Sequence, residues 1–534
     1  MKLTRRDFLR ASAATSAALS AGALACRGPL PWERRESSPF RHGVASGDPL
    51  ADRVVLWTRV TGSADERVRV AWRVARDPAL REVVAEGRVT TGPERDHTVK
   101  VDPVGLAPGG TWYYRFEALG CRSPVGRTRT LPVGHAARLR AAVCSCSNYP
   151  QGFFNGYAAI ARRADLDLVV HLGDYLYEYA NGTYGDGAAL GRIPDPIHEI
   201  VSLSDYRTRH AQYKTDPDLQ KAHRQHPFVA VWDDHESANN AWRDGAQNHD
   251  PGEGDWAARK AAAARAYLEW MPIRELPGEP SSSARIHRSF RFGDLADLIF
   301  LDTRLLGRDA QAARDDAGAI AAPDRTLLGA SQEAWLYERL ETSQAEGIPW
   351  RILGQQVLLG HLALPGEPVN PDAWDGYPAA RDRLFGHLER AAVGDVVVLT
   401  GDIHSSWALD VARRPFSARH YDPATGLGSL AVEFVAPALS SSPLASFPGL
   451  REKYANVLET HPHVRYADLE QRGYVLLDVD AERAQAEWWH LDTVGERSEV
   501  EHFAAAFATR RGESHLEAVE MPSAAPEAPP PAPA

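Results

Sequence analysis

The run VVVLTGDIHSSW, residues 396–407, passes from four apolar side chains to a carboxylate at Asp402 and an imidazole at His404. Burying an ionised carboxylate without a partner costs roughly several kcal/mol, so the end of this segment must meet a cation or a proton. Five other apolar runs finish the same way. LRAAVCSC stops at Cys146, LDLVVHLGDYLY at Asp174 and Tyr177, and FVAVWDDHE at Asp234 and His235. LADLIFLDTR stops at Asp302 and Arg304, and WRILGQQ at Gln355 and Gln356. Taken singly, a strand-terminal Asp more often caps the next helix, and a lone Cys is a small buried hydrophobe. Six such endings together point to one shared site.

The elements that would position them are continuous apolar strands separated by helix-like stretches such as 256–270 and 331–341. This pattern predicts an α/β sheet covered on both faces, and in such sheets ligands bind beyond the carboxyl ends of the strands. If Cys146, Asp174, Tyr177, Asp234 and Asp402 converge there in ionised form, the pocket holds five negative charges, and no arrangement of nearby arginines visible in the sequence cancels them. Metal ions would. Carboxylates suit calcium, magnesium or manganese. Asp174 and Tyr177 lie three apart, on one face of a helical turn. A phenol, with a reference pKa of about 10, ligates best when ferric iron takes its proton, and a thiolate at Cys146 also suits iron.

These pieces resemble the alkaline phosphatase D (PhoD-like) group of metallophosphoesterases. The matching segments are FRHGVASGDP (40–49), VVLWTRV (54–60), CSNY (146–149), HLGDYLYE (171–178), WDDHE (232–236) with Asn239 and Asn240, and GDIHSSW (401–407). The resemblance implies a small antiparallel β-sandwich followed by a two-sheet αββα catalytic domain. It also implies a centre of one ferric iron with calcium ions acting on phosphate esters. In that centre Asp174 would bridge iron and calcium, Cys146 and Tyr177 would bind iron, Asp234 would bind calcium, and Asp402 would complete the set. His235 would face the phosphate; His404 would serve metal or substrate, with neither favoured. One Fe3+ and two Ca2+ would balance the five ligand anions and a phosphate monoester dianion. Cys144 stands beside Cys146 as a second thiol, and Asp302, Arg304, Gln355 and Gln356 carry no assigned role.

The rest of the chain frames this site. At 534 residues, two or more domains are expected. Residues 1–25 hold Arg5-Arg6 before an uncharged run too short to span a bilayer, and resemble a twin-arginine export signal; an ordinary secretory signal is the alternative. A linker over 26–39 would follow, with Cys26 as first free residue or as a lipid anchor, placing the protein in the periplasm or outside the cell. Between 40 and 132, RVRVAWRV and TWYYRFEA alternate as strands of a fibronectin-like β-sandwich without catalytic residue types. The catalytic domain would occupy 138–505. A Pro/Ala-rich tail over 506–534 is expected to be disordered, since six of its last 13 residues are proline. The formal net charge of −11 argues against nucleic acid as a partner, and four cysteines make no disulfide framework. The expected partners are a phosphate ester or phosphodiester substrate and the twin-arginine export machinery, with no transmembrane segment. Rival readings are a phosphodiesterase or phospholipase D on lipid or polymer diesters, a surface-binding protein with a degenerate metal site, and an iron redox enzyme.

Overall fold

The computed structural model describes residues 38–62, 66–275 and 285–533. The export signal, Cys26 and most of the linker lie outside the described residues. Two large sheets face one another. The ten-stranded sheet runs, in spatial order, Glu517–Val519, Glu501–Arg510, Arg483–Leu491, Gly473–Val479, Leu139–Cys144, Leu168–His171, Pro227–Ala230, Val44–Gly47, Val55–Arg59 and Thr98–Val101. The seven-stranded sheet runs Arg288–Phe292, Ala296–Phe300, Trp350–Gly354, Val396–Thr400, Ser429–Val435, Ser406–Ala412 and Val464–Asp468. At the heart of each sheet the strands are parallel: Leu139–Cys144, Leu168–His171 and Pro227–Ala230 in one, and Ala296–Phe300, Trp350–Gly354 and Val396–Thr400 in the other.

Apolar side chains on both faces of these strands explain why the runs do not alternate with polar residues. Val397 and Leu399 turn into the core shared with Val143, Val169 and Val229 of the other sheet. Val396 and Val398 turn the other way, onto Leu336 and Leu340 of helix Ala330–Ala345 and Leu384 and Leu388 of helix Pro378–Arg390. The architecture is the expected αββα.

The N-terminal sandwich is present, but one of its two sheets is borrowed. Val68–Ala75, Val83–Thr91, Thr111–Ala118, Cys121–Arg122 and Gly126–Arg129 form a five-stranded sheet. Its Val70, Val74, Trp112, Tyr114 and Phe116 pack on Val44, Leu56 and Val99, which belong to the ten-stranded sheet. Strand Val44–Gly47 continues that sheet by pairing parallel with Pro227–Ala230. Gly47 permits the approach, since a Cβ there would stand 2.5 Å from Phe228 O and 2.4 Å from Pro272 O. The sandwich expected over 40–132 is thus fused edge-on to the catalytic sheet, with which it shares three strands.

The expectation of a disordered tail from residue 506 is corrected. Strand Glu501–Arg510 crosses the boundary drawn at 505, and Glu517–Val519 pairs with it. Beyond it the chain stays docked. Ser523 donates its backbone N–H to Glu487 at 2.6 Å and its hydroxyl to Asp478 at 3.0 Å. Tyr113 of the sandwich donates to Pro530 O at 2.5 Å, and Ala532 N donates to Gln225 Oε1 at 2.9 Å. Proline's fixed φ lowers the entropy lost on docking, and fixed acceptors on three elements supply what the composition lacks. Each hydrogen bond is worth about 1 kcal/mol net, so deleting residues 520–534 is expected to lower the melting temperature by a few degrees while leaving turnover unchanged. Calorimetry and assay of the truncated chain check this.

Candidate metal centre

All six apolar runs end at one edge, where the carboxyl ends of the parallel strands of both sheets meet. The backbone there is unusual: Cys146, Asp174, Asp402 and His404 have φ of 60°, 53°, 63° and 54°. Such left-handed positions cost non-glycine residues roughly 1–3 kcal/mol each and gather at functional sites. Gly173, at φ 104°, lets the Asp174 turn touch the next loop, because a Cβ there would lie 2.4 Å from Asp233 Cβ.

The seven residues singled out from the sequence converge. Among the described residues, three groups bring ligand atoms within 4.8 Å of one another: Cys146 with Asp174 and His404; Asp174 with Asp234 and His235; and Asp233 with Asp234 and Asp402. Asp174 joins the first two groups and Asp234 the last two. Tyr177 lies among them, its hydroxyl donating to Asp174 Oδ2 at 2.9 Å and accepting from Ser441 Oγ at 2.8 Å. Asp174 Oδ1 and Asp233 Oδ2 are buried without a hydrogen-bond partner. Orphaned carboxyl oxygens beside a thiol, a phenol and imidazoles form a donor set that fits metal cations. Cys144 takes no part, being fully buried on its strand with Sγ directed at Val170 O, 3.7 Å away.

The histidines are oriented by their neighbours. His404 Nδ1 donates to Ser442 O at 2.9 Å. In the neutral ring this leaves Nε2 bare, and it faces Tyr177 Oη at 3.1 Å and Asp174 Oδ2 at 3.9 Å. His404 is thus posed toward the ligand cluster. His235 Nδ1 lies 2.7 Å from Glu178 Oε2, and Glu178 is itself held by Asn239 N at 2.7 Å and Asn248 Nδ2 at 3.0 Å.

Several participants carry no role in the sequence reading or are absent from it. Arg304 is fully buried inside the acidic cluster. Its Nε donates to Asp233, its Nη1 to both oxygens of Asp372 at 2.8 Å, and its Nη2 to Asp402 at 2.7 Å. Arg308 adds a second bond to Asp372 at 2.6 Å. From the sequence no arginine is expected to cancel the five ligand charges; Arg304, from the end of a different strand, offsets part of them through Asp402 at 2.7 Å and Asp234 at 3.7 Å. Glu236 accepts from Asp174 N at 3.1 Å, Tyr175 N at 2.7 Å and Asp233 N at 2.8 Å, stapling two ligand loops together. Its place in WDDHE is the one signal that could have flagged it. Gln355 and Gln356 brace the floor through Thr400, Trp374, Trp232 and Leu301, and Asp302 accepts the backbone N–H groups of Arg304 and Leu305.

Electrostatics divides the cluster. Burial pushes Asp174 up to about 7, against the pull of His235 and His404. Burial pushes Asp402 to about 7 as well, opposed by Arg304 and aided by Asp372 and Asp234. At Asp234, burial is outweighed by Arg304 and then His235, which hold its carboxyl below the usual range. Burial, then the Asp174 charge, drives the Cys146 thiol and the Tyr177 phenol far up. His235 is held protonated because Asp234, Glu178 and Asp174 outweigh its burial.

The sequence from 141 to 488 matches the family described as PhoD-like phosphatase, and residues 25–132 match its N-terminal domain. The chain belongs to the PhoD-like phosphatase family. Alkaline phosphatase D of Bacillus subtilis (strain 168) is 36% identical over 506 residues, covering 90% of this chain and 83% of that one. A solved structure of PhoD superposes with a TM-score of 0.82 at 33% identity, covering 93% of this chain and 94% of that one. This PhoD-like protein is a phosphoric ester hydrolase, and among its described residues no helix is long and apolar enough to cross a membrane.

Asp174 and Asp402 shift from 3.8 to about 7 in the fold, whereas the unfolded chain releases both protons near 3.8. Between those values the folded, metal-free protein holds the extra protons, so their contribution to stability falls as pH rises. A cation needing the ionised carboxylates competes with the same protons. The increase in melting temperature on adding a divalent cation is expected to grow from about pH 5 to about pH 8; equal shifts at both ends in scanning calorimetry would contradict this.

Proposed function

We propose that the chain is an exported, metal-dependent phosphatase of the alkaline phosphatase D type, holding Fe3+ and two Ca2+. The observation that carries this reading is the chain of three ligand groups linked by Asp174 and Asp234. Cys146, Tyr177 and Asp174 would hold the iron through thiolate, phenolate and carboxylate, and His404 Nε2 faces the same group of residues. Asp234 and Asp402 would supply carboxylate oxygens to calcium, Asp402 being also bonded to Arg304. Bound there, the cations would polarise the phosphoryl oxygens and lower the pKa of the attacking water.

The remaining work falls to the chain itself. His235, whose protonated form Glu178 stabilises through Nδ1, donates from Nε2. As water oxygen bonds to phosphorus and the ester P–O bond breaks, that proton goes to the departing alkoxide, and the proton given up by the attacking water restores the charged His235. Glu178 is a positioning residue, fixing the ring through Nδ1. Arg5-Arg6 and the uncharged run after them support export to the periplasm or beyond by the twin-arginine route, which carries folded, metal-loaded cargo. The reading as a binding protein with a degenerate site requires a missing ligand, and the seven residues are all present and gathered.

Asp174→Asn is expected to abolish turnover while far-UV circular dichroism stays native. Glu178→Gln is expected to lower kcat roughly 10–100-fold, as loss of a partner behind a site residue commonly does. Metal analysis of protein purified without added metal should find iron and calcium; full activity with zinc alone and no iron would reject the assignment. A panel of phosphomonoesters and phosphodiesters, with and without calcium, decides between the monoesterase and the diesterase or phospholipase D reading.

A further inference from the structure

Three half-buried rings, Tyr179, Tyr184 and Phe447, stand beside the centre without belonging to its ligand set. Tyr184 is the hub. Its ring lies 6.3 Å from that of His235 and within 10° of parallel, 6.5 Å from His404 at 22°, and 6.4 Å from Phe447 at 21°. Tyr179 packs 5.6 Å from Tyr184 and 5.3 Å from His235. The aromatic surface is therefore continuous with the two histidines that face the reacting group.

Tyr184 is also held still. Asn148, two residues past Cys146, donates its side-chain amide to Tyr184 O at 3.0 Å, and Gly182 N closes the turn on Gly185 O at 2.9 Å. Gly185, at φ 99°, is packed so that a Cβ would lie 2.6 Å from Gln151 Cγ. The loop that fixes the ring is thus tied to the loop that carries Cys146. The Tyr184 hydroxyl lies 3.3 Å from His404 Nδ1, a nitrogen already engaged with Ser442 O at 2.9 Å. The ring face, more than the hydroxyl, is what the residue offers.

We propose that Tyr184, backed by Tyr179 and Phe447, is the leaving-group platform of this enzyme and selects phosphate esters whose alcohol carries a planar aromatic ring over those with compact polar alcohols. The inference rests on the proposed function and deepens it by naming a substrate class. With the phosphoryl group fixed beside His235 and His404, the alcohol of the ester extends onto the adjoining rings, where stacking favours a flat apolar group.

The test compares kcat/KM for phenyl phosphate, 2-naphthyl phosphate and glycerol phosphate in the metal-loaded wild type, Tyr184→Ala and Tyr184→Phe. The two aryl esters have leaving groups of similar acidity and differ mainly in ring area. Tyr184→Ala is expected to lower the naphthyl-to-phenyl ratio roughly fivefold, the worth of one aromatic contact, with a smaller fall on glycerol phosphate than on either aryl ester and Tyr184→Phe keeping the wild-type ratio. An unchanged ratio, an equal fall on all three esters, or a Tyr184→Phe loss equal to that of Tyr184→Ala would each overturn the platform. A wild type inactive on every ester would instead overturn the proposed function, so the two failures are distinguishable.

Discussion

Arg304 lies fully buried among Asp233, Asp372 and Asp402, and its fixed positive charge lets that half of the acidic cluster exist away from water. Removing such a cation from buried carboxylates typically costs about 3–5 kcal/mol. The other half, built from Asp174, Cys146 and Tyr177, has no guanidinium bonded to its side chains among the described residues. There the protein's own answer to burial is a proton on each group, and an added cation displaces those protons. Arg304 offsets part of the charge in one half, yet burial lifts Asp402 there to about 7 just as it lifts Asp174 in the other, so both halves keep exchangeable charge. That residual charge is the physical basis for reading the site as a metal centre.

Holding these groups together requires backbone that would not adopt such shapes alone. Four participants occupy left-handed φ, and the turns that carry them are clamped by contacts from other segments. Glu236 gathers three N–H groups from two loops, Ser441 reaches Cys146 O and Tyr177, and Gly173 lets two loops touch. Behind them, parallel strands packed on both faces supply the rigidity that such strain needs. The fusion of the N-terminal sandwich to the catalytic sheet and the docked tail extend the same frame around the molecule.

Much of this was legible in residue order. Period-two alternation at Val68, Val70 and Val74 marks a half-buried strand, and the unbroken apolar runs mark strands buried on both faces. The tail was misread because its composition cannot build a core of its own. What orders it are Tyr113, Gln225, Asp478 and Glu487, which lie elsewhere in the chain. Tyr113 likewise falls on the outward face of its strand by alternation, yet it is buried, and the tail meets it there.

The sequence by itself determined which side chains end the strands, their order, and hence the chemistry available: carboxylates, a thiol, a phenol and imidazoles at the rim of a two-sheet fold. The tertiary structure alone decided how their charges are shared. It chose Cys146 over Cys144, turned His404 Nε2 toward the cluster, paired His235 with Glu178, and placed Arg304 among acids up to 98 positions away along the chain. Local pattern follows from the chain's periodicity, whereas ionisation and pairing follow from distances in space and from burial, which adjacent residues do not encode.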